Sequence, residues 1–195
     1  MPLILFMKSC TLGRVAGRIA AIFAGATSLA GCISSTTPIL GDAKAILGER
    51  IEMHMFAPRL DSSTPGENGL RHQGVASMQW TGGRYVARNR ADLVTDFTVH
   101  AFEGRDLIVQ TAPRAPRPVE YALARRLADG TYMVLPIDED TTDEETRAKF
   151  CTKTQEASCR ITTPEQLFVF ARALADNAEG RMDAGIVVIV PGAAR

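Results

Sequence analysis

The sequence predicts an α+β domain in which an antiparallel β-meander carries a C-terminal helix on one side and a final buried strand. Three observations predict this fold class. Apolar and polar residues alternate with a period of two in several short segments, and glycine-containing turns separate them. A segment with helical apolar spacing then precedes a β-branched run near the end of the chain. A small closed β-barrel is the alternative arrangement of the same strands.

The first predicted strand is Arg50–Phe56, where apolar residues at positions 51, 53 and 55 alternate with polar residues at 52 and 54. The stretch from Ala57 to Gln73 follows and contains two prolines and several polar residues. We interpret it as a long polar loop, and loops of this length are often functional.

Three turns predict three successive hairpins. Each lies between two large apolar residues five positions apart, in Trp80–Tyr85, Phe102–Leu107 and Leu127–Tyr132. Glycine in each turn supplies the positive φ that tight hairpins require. The strands predicted to flank these turns are Val75–Trp80, Arg84–Arg88, Phe97–Phe102, Leu107–Thr111, Val119–Leu127 and Thr131–Pro136. Residues 113–118 contain three prolines, which lack the ladder N–H, and they predict a stiff connector.

The last third of the chain predicts two helices and one strand. Residues Asp138–Asp140 and Asp143–Glu145 are acidic, and Thr146–Phe150 is predicted to complete a short helix whose acidic first turn suits the positive helix end. Thr163 and Gln166 match a capping box that opens a helix running from Pro164 to about Asn177. The apolar face of this helix is predicted to comprise Leu167, Phe170, Ala171 and Leu174. The run Ile186–Val190 is apolar and β-branched on both faces and predicts a buried strand ended by Pro191.

The beginning of the chain has the organisation of a secretion signal. Lys8, Arg14 and Arg18 form a basic region, and the apolar run Ile19–Leu29 follows them. A run of 11 residues is too short to span a hydrocarbon core, which needs roughly 20. Ala30 and Gly31 then stand before Cys32, so the run ends in Leu-Ala-Gly-Cys.

This segment resembles the lipobox signal of bacterial lipoprotein precursors, over residues 7–32. The resemblance implies that residues 1–31 are a signal peptide and that Cys32 becomes a lipidated N-terminus. Residues 32–45 are then expected to be the lipidated end and its tether, and residues 46–195 a single globular domain. Ile33, where an aspartate would favour retention in the inner membrane, implies an outer-membrane anchor facing the periplasm. Met7 is an alternative start to Met1.

Charge and cysteine content bound the mature chain. The precursor has 22 basic and 22 acidic residues, and removal of the three basic signal residues leaves 19 against 22, a net charge of −3. No basic stripe remains to favour nucleic-acid binding. With Cys10 removed and Cys32 lipidated, Cys151 and Cys159 remain as an even pair, which predicts a disulfide in an oxidising compartment. A metal or redox site is the alternative, although the spacing is not Cys-x-x-Cys.

The sequence contains no persuasive catalytic constellation, and we expect no cofactor. The three histidines are His54, His72 and His100, and no two of them are closer than 18 residues. His54 and His100 fall on outward positions of predicted strands, where they could bind a metal together only if those strands were neighbours and a third ligand existed. The acidic residues from Asp138 to Asp143 lack the spacing of an EF-hand calcium loop and predict a solvated helix start.

These features favour a non-enzymatic, membrane-anchored binding or accessory module of the cell envelope. Its partner would be another envelope protein or a cell-wall component, contacted through the sheet surface and the 57–73 loop. The alternative is a small-ligand carrier or a hydrolytic enzyme that uses the concave face of the meander. Aromatic residues of the meander would form its core if they point inward, or an apolar ligand pocket if several line one mouth. They are Trp80, Tyr85, Phe97, Phe102, Tyr121 and Tyr132.

Overall fold

The computed structural model describes residues 33–58, 69–87, 96–112, 117–138, 142–153, 159–178 and 184–192. Cys32 and the signal segment lie outside these residues. The strands within them are β1 Ile33–Ser35, β2 Arg50–Pro58, β3 Leu70–Trp80, β4 Tyr85–Ala87, β5 Phe97–Ala101, β6 Leu107–Thr111, β7 Val119–Ala128, β8 Thr131–Pro136, β9 Thr152–Lys153, β10 Cys159–Arg160 and β11 Gly185–Pro191. The helices are α1 Glu144–Phe150 and α2 Pro164–Asp176.

Eight of the strands close into an antiparallel barrel. Strands β2 to β8 form a continuous meander, in which each strand pairs with the next along the chain. Strand β11 returns after the helices and pairs antiparallel with both β8 and β2, which closes the ring. The predicted meander, C-terminal helix and final strand are therefore confirmed, and the strands adopt the closed-barrel alternative.

The three predicted hairpin turns are present, and each uses a glycine in the left-handed region. Gly82, Gly104 and Gly130 have φ values of 78°, 63° and 70°. Gly130 is also constrained by packing, since a Cβ there would lie 2.6 Å from the Ile189 carbonyl oxygen. The close approach lets the Ile189 N–H donate to the Gly130 carbonyl, so this turn helps to fix β11 in the barrel.

The β2–β3 hairpin is longer than the sequence predicts. Ala57 and Pro58 continue β2, and Leu70 to Gln73 belong to β3, so the expected loop 57–73 was too wide. The register shifts between Met55 and Phe56, where β3 carries an extra residue. The polar residues 71–73 can belong to a strand because the outer face of that strand is exposed to solvent. Residue propensity alone does not predict such an extension. Residues 59–68 lie outside the described part of the chain.

Helix α2 forms as predicted and packs on the outside of the barrel. Gln166 Oε1 accepts from the Thr163 N–H at 3.1 Å, and Thr163 Oγ1 accepts from the Gln166 N–H at 3.4 Å, which completes the capping box. The last turn contains no basic residue. Instead, Arg125 of β7 donates to the Ala175 carbonyl oxygen at 2.7 Å, placing a positive charge at the negative end of the helix. Helix α1 begins at Glu144, with Asp143 as its N-cap, so its first turn carries the predicted acidic residues.

The segment expected to act as a tether is instead folded onto the domain. Ile33, Ser34 and Ser35 form β1 and are at most 5% exposed. This strand pairs antiparallel with β7 and parallel with β10. The sequence does not predict strand β1, because the segment is short and is stabilised by pairing with strands that are distant in the sequence. We call residues 33–49 the N-terminal arm.

The predicted pair Cys151 and Cys159 lies at disulfide distance, with Cα atoms 5.2 Å apart. The pair flanks β9 and joins the end of helix α1 to β10. Since β10 pairs with β1, the cysteines also hold the strand that supports the start of the N-terminal arm.

Strand β11 is less buried than its apolar sequence predicts. Val187 points into the barrel and is 9% exposed, whereas Ile186 and Val188 are half-buried and Val190 is exposed. The reason is that a barrel strand has one inner and one outer face, and helix α2 covers only part of the outer surface.

Apolar side chains segregate into two clusters on opposite sides of the barrel wall. The interior cluster comprises Ile51, Met53, Met55, Ala76, Met78, Tyr85, Phe97, Val99, Leu107, Ala124 and Val187. The outer layer lies between the wall and helix α2. Its main members are Ile33, Ile108, Val119, Tyr121, Leu123, Leu135, Ile137, Ile161, Leu167, Phe170, Ala171 and Leu174.

Candidate ligand cavity

The interior cluster does not fill the barrel. The cavity that remains has a volume of about 40 Å³, counted as the space that the centre of a water-sized molecule can reach. Since one water needs about 10–15 Å³ on that measure, a short, narrow group fits and a bulky one does not. The lining residues are Leu47, Met53, Met55, Phe97, Val99, Leu107, Val109, Ala124, Tyr132, Val134, Val187 and Ile189.

The chemistry of this lining is apolar. Among the lining residues that the structure describes, Tyr132 alone carries a polar side-chain group. Met53 and Met55 stand two residues apart on β2, where strand alternation turns both side chains inward. Methionine side chains are flexible and polarisable, so this wall can adjust to the shape of an apolar occupant. The arrangement suits burial of hydrocarbon and offers no charged group to orient a polar substrate.

An aromatic group forms the neighbouring part of the interior. The Tyr85 ring stacks on Phe97 with centroids 5.3 Å apart and meets Trp80 edge-on at 5.1 Å. Tyr85 is fully buried, and burial raises the pKa of its hydroxyl, although the hydrogen bond from Leu47 opposes that shift. The hydroxyl therefore remains neutral and acts as a fixed donor and acceptor.

The N-terminal arm lies against the end of the barrel at which β2 begins. Tyr85 Oη accepts from the Leu47 N–H at 3.0 Å and donates to the Gly48 carbonyl at 3.0 Å. The Trp80 N–H donates to the Glu49 carbonyl at 2.8 Å. Within the described part of the chain, Leu47 is the one cavity-lining residue that does not come from a barrel strand. Three hydrogen bonds thus hold the backbone of residues 47–49, while the Leu47 side chain lines the cavity.

Two further polar side chains hold the arm against the barrel wall. Gln110 of β6 is 3% exposed, and its Oε1 accepts from the N–H groups of Ile39 and Leu40 at 3.1 Å each. The Tyr121 hydroxyl lies 2.6 Å from Ser35 Oγ, which itself donates to the Thr37 carbonyl. These bonds satisfy polar groups of an arm that has little secondary structure.

The structure separates the histidines that the sequence pairs. His54 on β2 and His100 on β5 have β3 and β4 between them, so they do not form a common site. His54 instead approaches His72 of β3, with ring centroids 6.2 Å apart. His100 Nε2 lies 2.9 Å from Thr98 Oγ1, and partial burial lowers the pKa of this histidine.

The acidic segment before helix α1 is explained by local structure as far as it is described. Asp143 accepts from the Thr146 N–H at 2.8 Å as the helix N-cap, and this hydrogen bond lowers the pKa of Asp143. Residues 139–141 lie outside the described chain. Across the part that is described, no group of three or more His, Cys, Asp or Glu residues is placed to hold a metal ion.

Sequence reasoning anticipated part of this cavity. Phe97 and Tyr132, two of the meander aromatics, do line it, whereas Tyr121 belongs to the outer layer. Leu47, Tyr85 and Gln110 were not identified as residues that position the arm. The sequence offers one signal of such a role: Gln110 is a polar residue that directly follows the apolar residues 107–109 of a predicted strand.

The fold and cavity define a class of protein, an eight-stranded up-and-down β-barrel with an apolar interior. Comparisons with protein-family models, with curated proteins and with solved structures find no match to this chain. Among the described residues, neither helix is long and apolar enough to cross a membrane.

Proposed function

We propose that the protein is a non-enzymatic module of the bacterial cell envelope that is anchored through lipid on Cys32 and binds the end of an unbranched apolar chain inside its barrel. The observation that carries the binding proposal is the cavity, whose lining is apolar at every position except Tyr132. An eight-stranded barrel is just wide enough to hold one small ligand. The narrow free space favours an alkyl chain over a ring system.

Removal of hydrocarbon from water supplies the binding energy. Each buried methylene contributes about 0.8 kcal/mol, so successive carbons should each tighten binding about fourfold until the cavity is full. The described lining residues include no acid–base pair. Binding without chemistry is therefore the function that these residues support best.

The methionines provide a direct test. With [methyl-¹³C]methionine, titration of the protein with 1-octanol should shift the methyl signals of Met53 and Met55, which line the cavity. Met78 is fully buried in the same barrel but does not line the cavity, and Met133 packs against the outer layer. Their signals should move little and serve as internal controls. Equal shifts at all four methionines would indicate non-specific binding and reject the cavity as the site.

A matched pair of variants separates binding from stability. Ala124→Leu adds three carbons to a cavity-lining position and should weaken octanol binding at least tenfold. Ala122→Leu makes the same change two residues away on β7, at a buried position outside the cavity lining. Unchanged affinity in Ala124→Leu would remove the cavity from the proposal.

The anchor has its own experiment. Ile33 already belongs to β1, so lipid on Cys32 would join the domain without a spacer and hold the barrel close to the bilayer. Cys32→Ala should move the protein from the membrane fraction to the soluble fraction of the cell envelope. Membrane association that survives this change would defeat the lipoprotein proposal and leave the cavity proposal intact.

Contact with an envelope protein or cell-wall component is the second candidate, and one surface favours it. On the outer face of β2 and β3, the Phe56 ring lies 5.2 Å from the His72 ring, and the His54 ring also approaches His72. A photo-crosslinking residue at His72 in the full-length protein should capture a defined partner in cells. The same residue at Arg172, on exposed helix α2, is the matched control. Identical products from both positions would reject a specific contact here.

A further inference from the structure

The cavity is lined at one end by a residue that does not belong to a barrel strand. We infer that Leu47 sets the maximum length of the apolar chain that the cavity accepts, and that the Tyr85 hydroxyl positions Leu47 for this role. The inference rests on the proposed function, because it assigns the size selectivity of that same site.

The placement of Leu47 supports this role. The other lining residues come from six strands, β2, β5, β6, β7, β8 and β11, and form the side walls. Leu47 lies three residues before the start of β2, so it meets the cavity at the end of the barrel. Its side chain is half-buried and packs against the interior cluster. An extended chain that entered between the walls would meet Leu47 as it reached this end.

The backbone of Leu47 is held more firmly than an irregular segment would suggest. The Tyr85 hydroxyl bonds both sides of the Leu47–Gly48 peptide unit, one bond to the Leu47 N–H and one to the Gly48 carbonyl. Gly48 has a φ of 99°, a conformation that other residues rarely adopt. Tyr85 itself is fixed by the Trp80 and Phe97 rings. The Tyr85 hydroxyl thus connects the N-terminal arm to the aromatic group of the barrel interior.

The experiment measures binding of an alkanol series from 1-propanol to 1-octanol by the Met53 and Met55 methyl signals. In the wild-type protein, affinity should rise about fourfold per carbon and then stop rising at a cut-off length. Leu47→Ala removes three carbons from the end of the cavity at which β2 begins. It should therefore move that cut-off to a longer alkanol. Ile46→Ala is the matched control, because Ile46 is the adjacent residue of the arm but is 44% exposed and does not line the cavity.

Tyr85→Phe tests the positioning role. The change retains the stacked ring and removes only the hydroxyl, so it leaves the Leu47 N–H and the Gly48 carbonyl without this partner. The cut-off should move in the same direction as in Leu47→Ala. In the double variant the two shifts should not add, because Tyr85 acts through Leu47. A merely structural tyrosine would lower stability without moving the cut-off.

The outcomes separate the two proposals. If the wild-type protein binds the alkanols and Leu47→Ala keeps the same cut-off, the inference is wrong and the proposed function stands. Additive shifts in the double variant would overturn the role of Tyr85 alone. If no alkanol shifts Met53 or Met55 in the wild-type protein, the proposed function fails and the inference falls with it. Dispersed methyl signals in each variant confirm that it is folded.

Discussion

The two sides of the barrel wall are both apolar, but they are packed for different tasks. The outer layer beneath helix α2 uses Leu167, Phe170 and Leu174, all 0% exposed, against side chains of the wall. The interior uses flexible methionines and leaves a cavity. Dense packing specifies one arrangement, whereas an adaptable lining next to free space leaves room for an occupant. The outer face of these strands is therefore filled by packed side chains, whereas the inner face leaves free space.

Truncation in the outer layer should have the largest effect. Phe170 is fully buried, so Phe170→Ala removes a large side chain from a region with little capacity to rearrange. We expect the free energy of unfolding to fall by about 3–5 kcal/mol. Urea denaturation should show a lower midpoint with an unchanged slope. A loss below about 1 kcal/mol would mean that this layer is as loosely packed as the interior.

The cysteine pair should rank next. Cys151 and Cys159 close a nine-residue loop that supports β10 and, through it, the start of the arm. In the chain-entropy model such a loop contributes about 2.5 kcal/mol. Replacing both cysteines with alanine should lower the stability by about that amount, and a reductant should have the same effect on the wild-type protein but none on the variant. Rapid alkylation of the folded, unreduced protein would show that the pair is not bonded.

The same alanine-to-leucine substitution, made once on each side of the barrel wall, tests whether the two sides differ in packing. Ala124→Leu places three carbons in the cavity and should raise stability by about 0.5–2 kcal/mol. Ala171→Leu places the same group on helix α2 in the filled outer layer, where Ala171 is 0% exposed, and should lower stability by about 1–3 kcal/mol. Opposite signs in thermal unfolding would confirm the difference in packing. Equal losses would show that the interior is also full.

Sequence periodicity predicted the outer layer more fully than the interior. The helical spacing from Leu167 to Leu174 identifies the face that packs, because that pattern is local. Strand alternation likewise identifies Met53 and Met55 as inward-facing. The cavity itself depends on how many strands close the barrel and in what register, which are set by contacts between distant residues. The position of the arm depends on hydrogen bonds to the side chains of Gln110 and Tyr85, and such isolated contacts leave no periodic signal in the sequence.

The smallest expected effect concerns pH and a residue on the outer side of the wall. Burial lowers the pKa of His100, so the unfolded chain binds a proton more readily than the folded protein. The contribution of neutral His100 to the free energy of unfolding is therefore fully present above pH 6.5, the ordinary pKa of histidine. It is lost as the pH falls from 6.5 through the lower pKa of His100 in the folded protein. The effect should be modest because the side chain is only half-buried. His100→Asn should flatten the decline in urea midpoint between pH 7.5 and pH 5, while a decline as steep as in the wild-type protein would assign it to other groups.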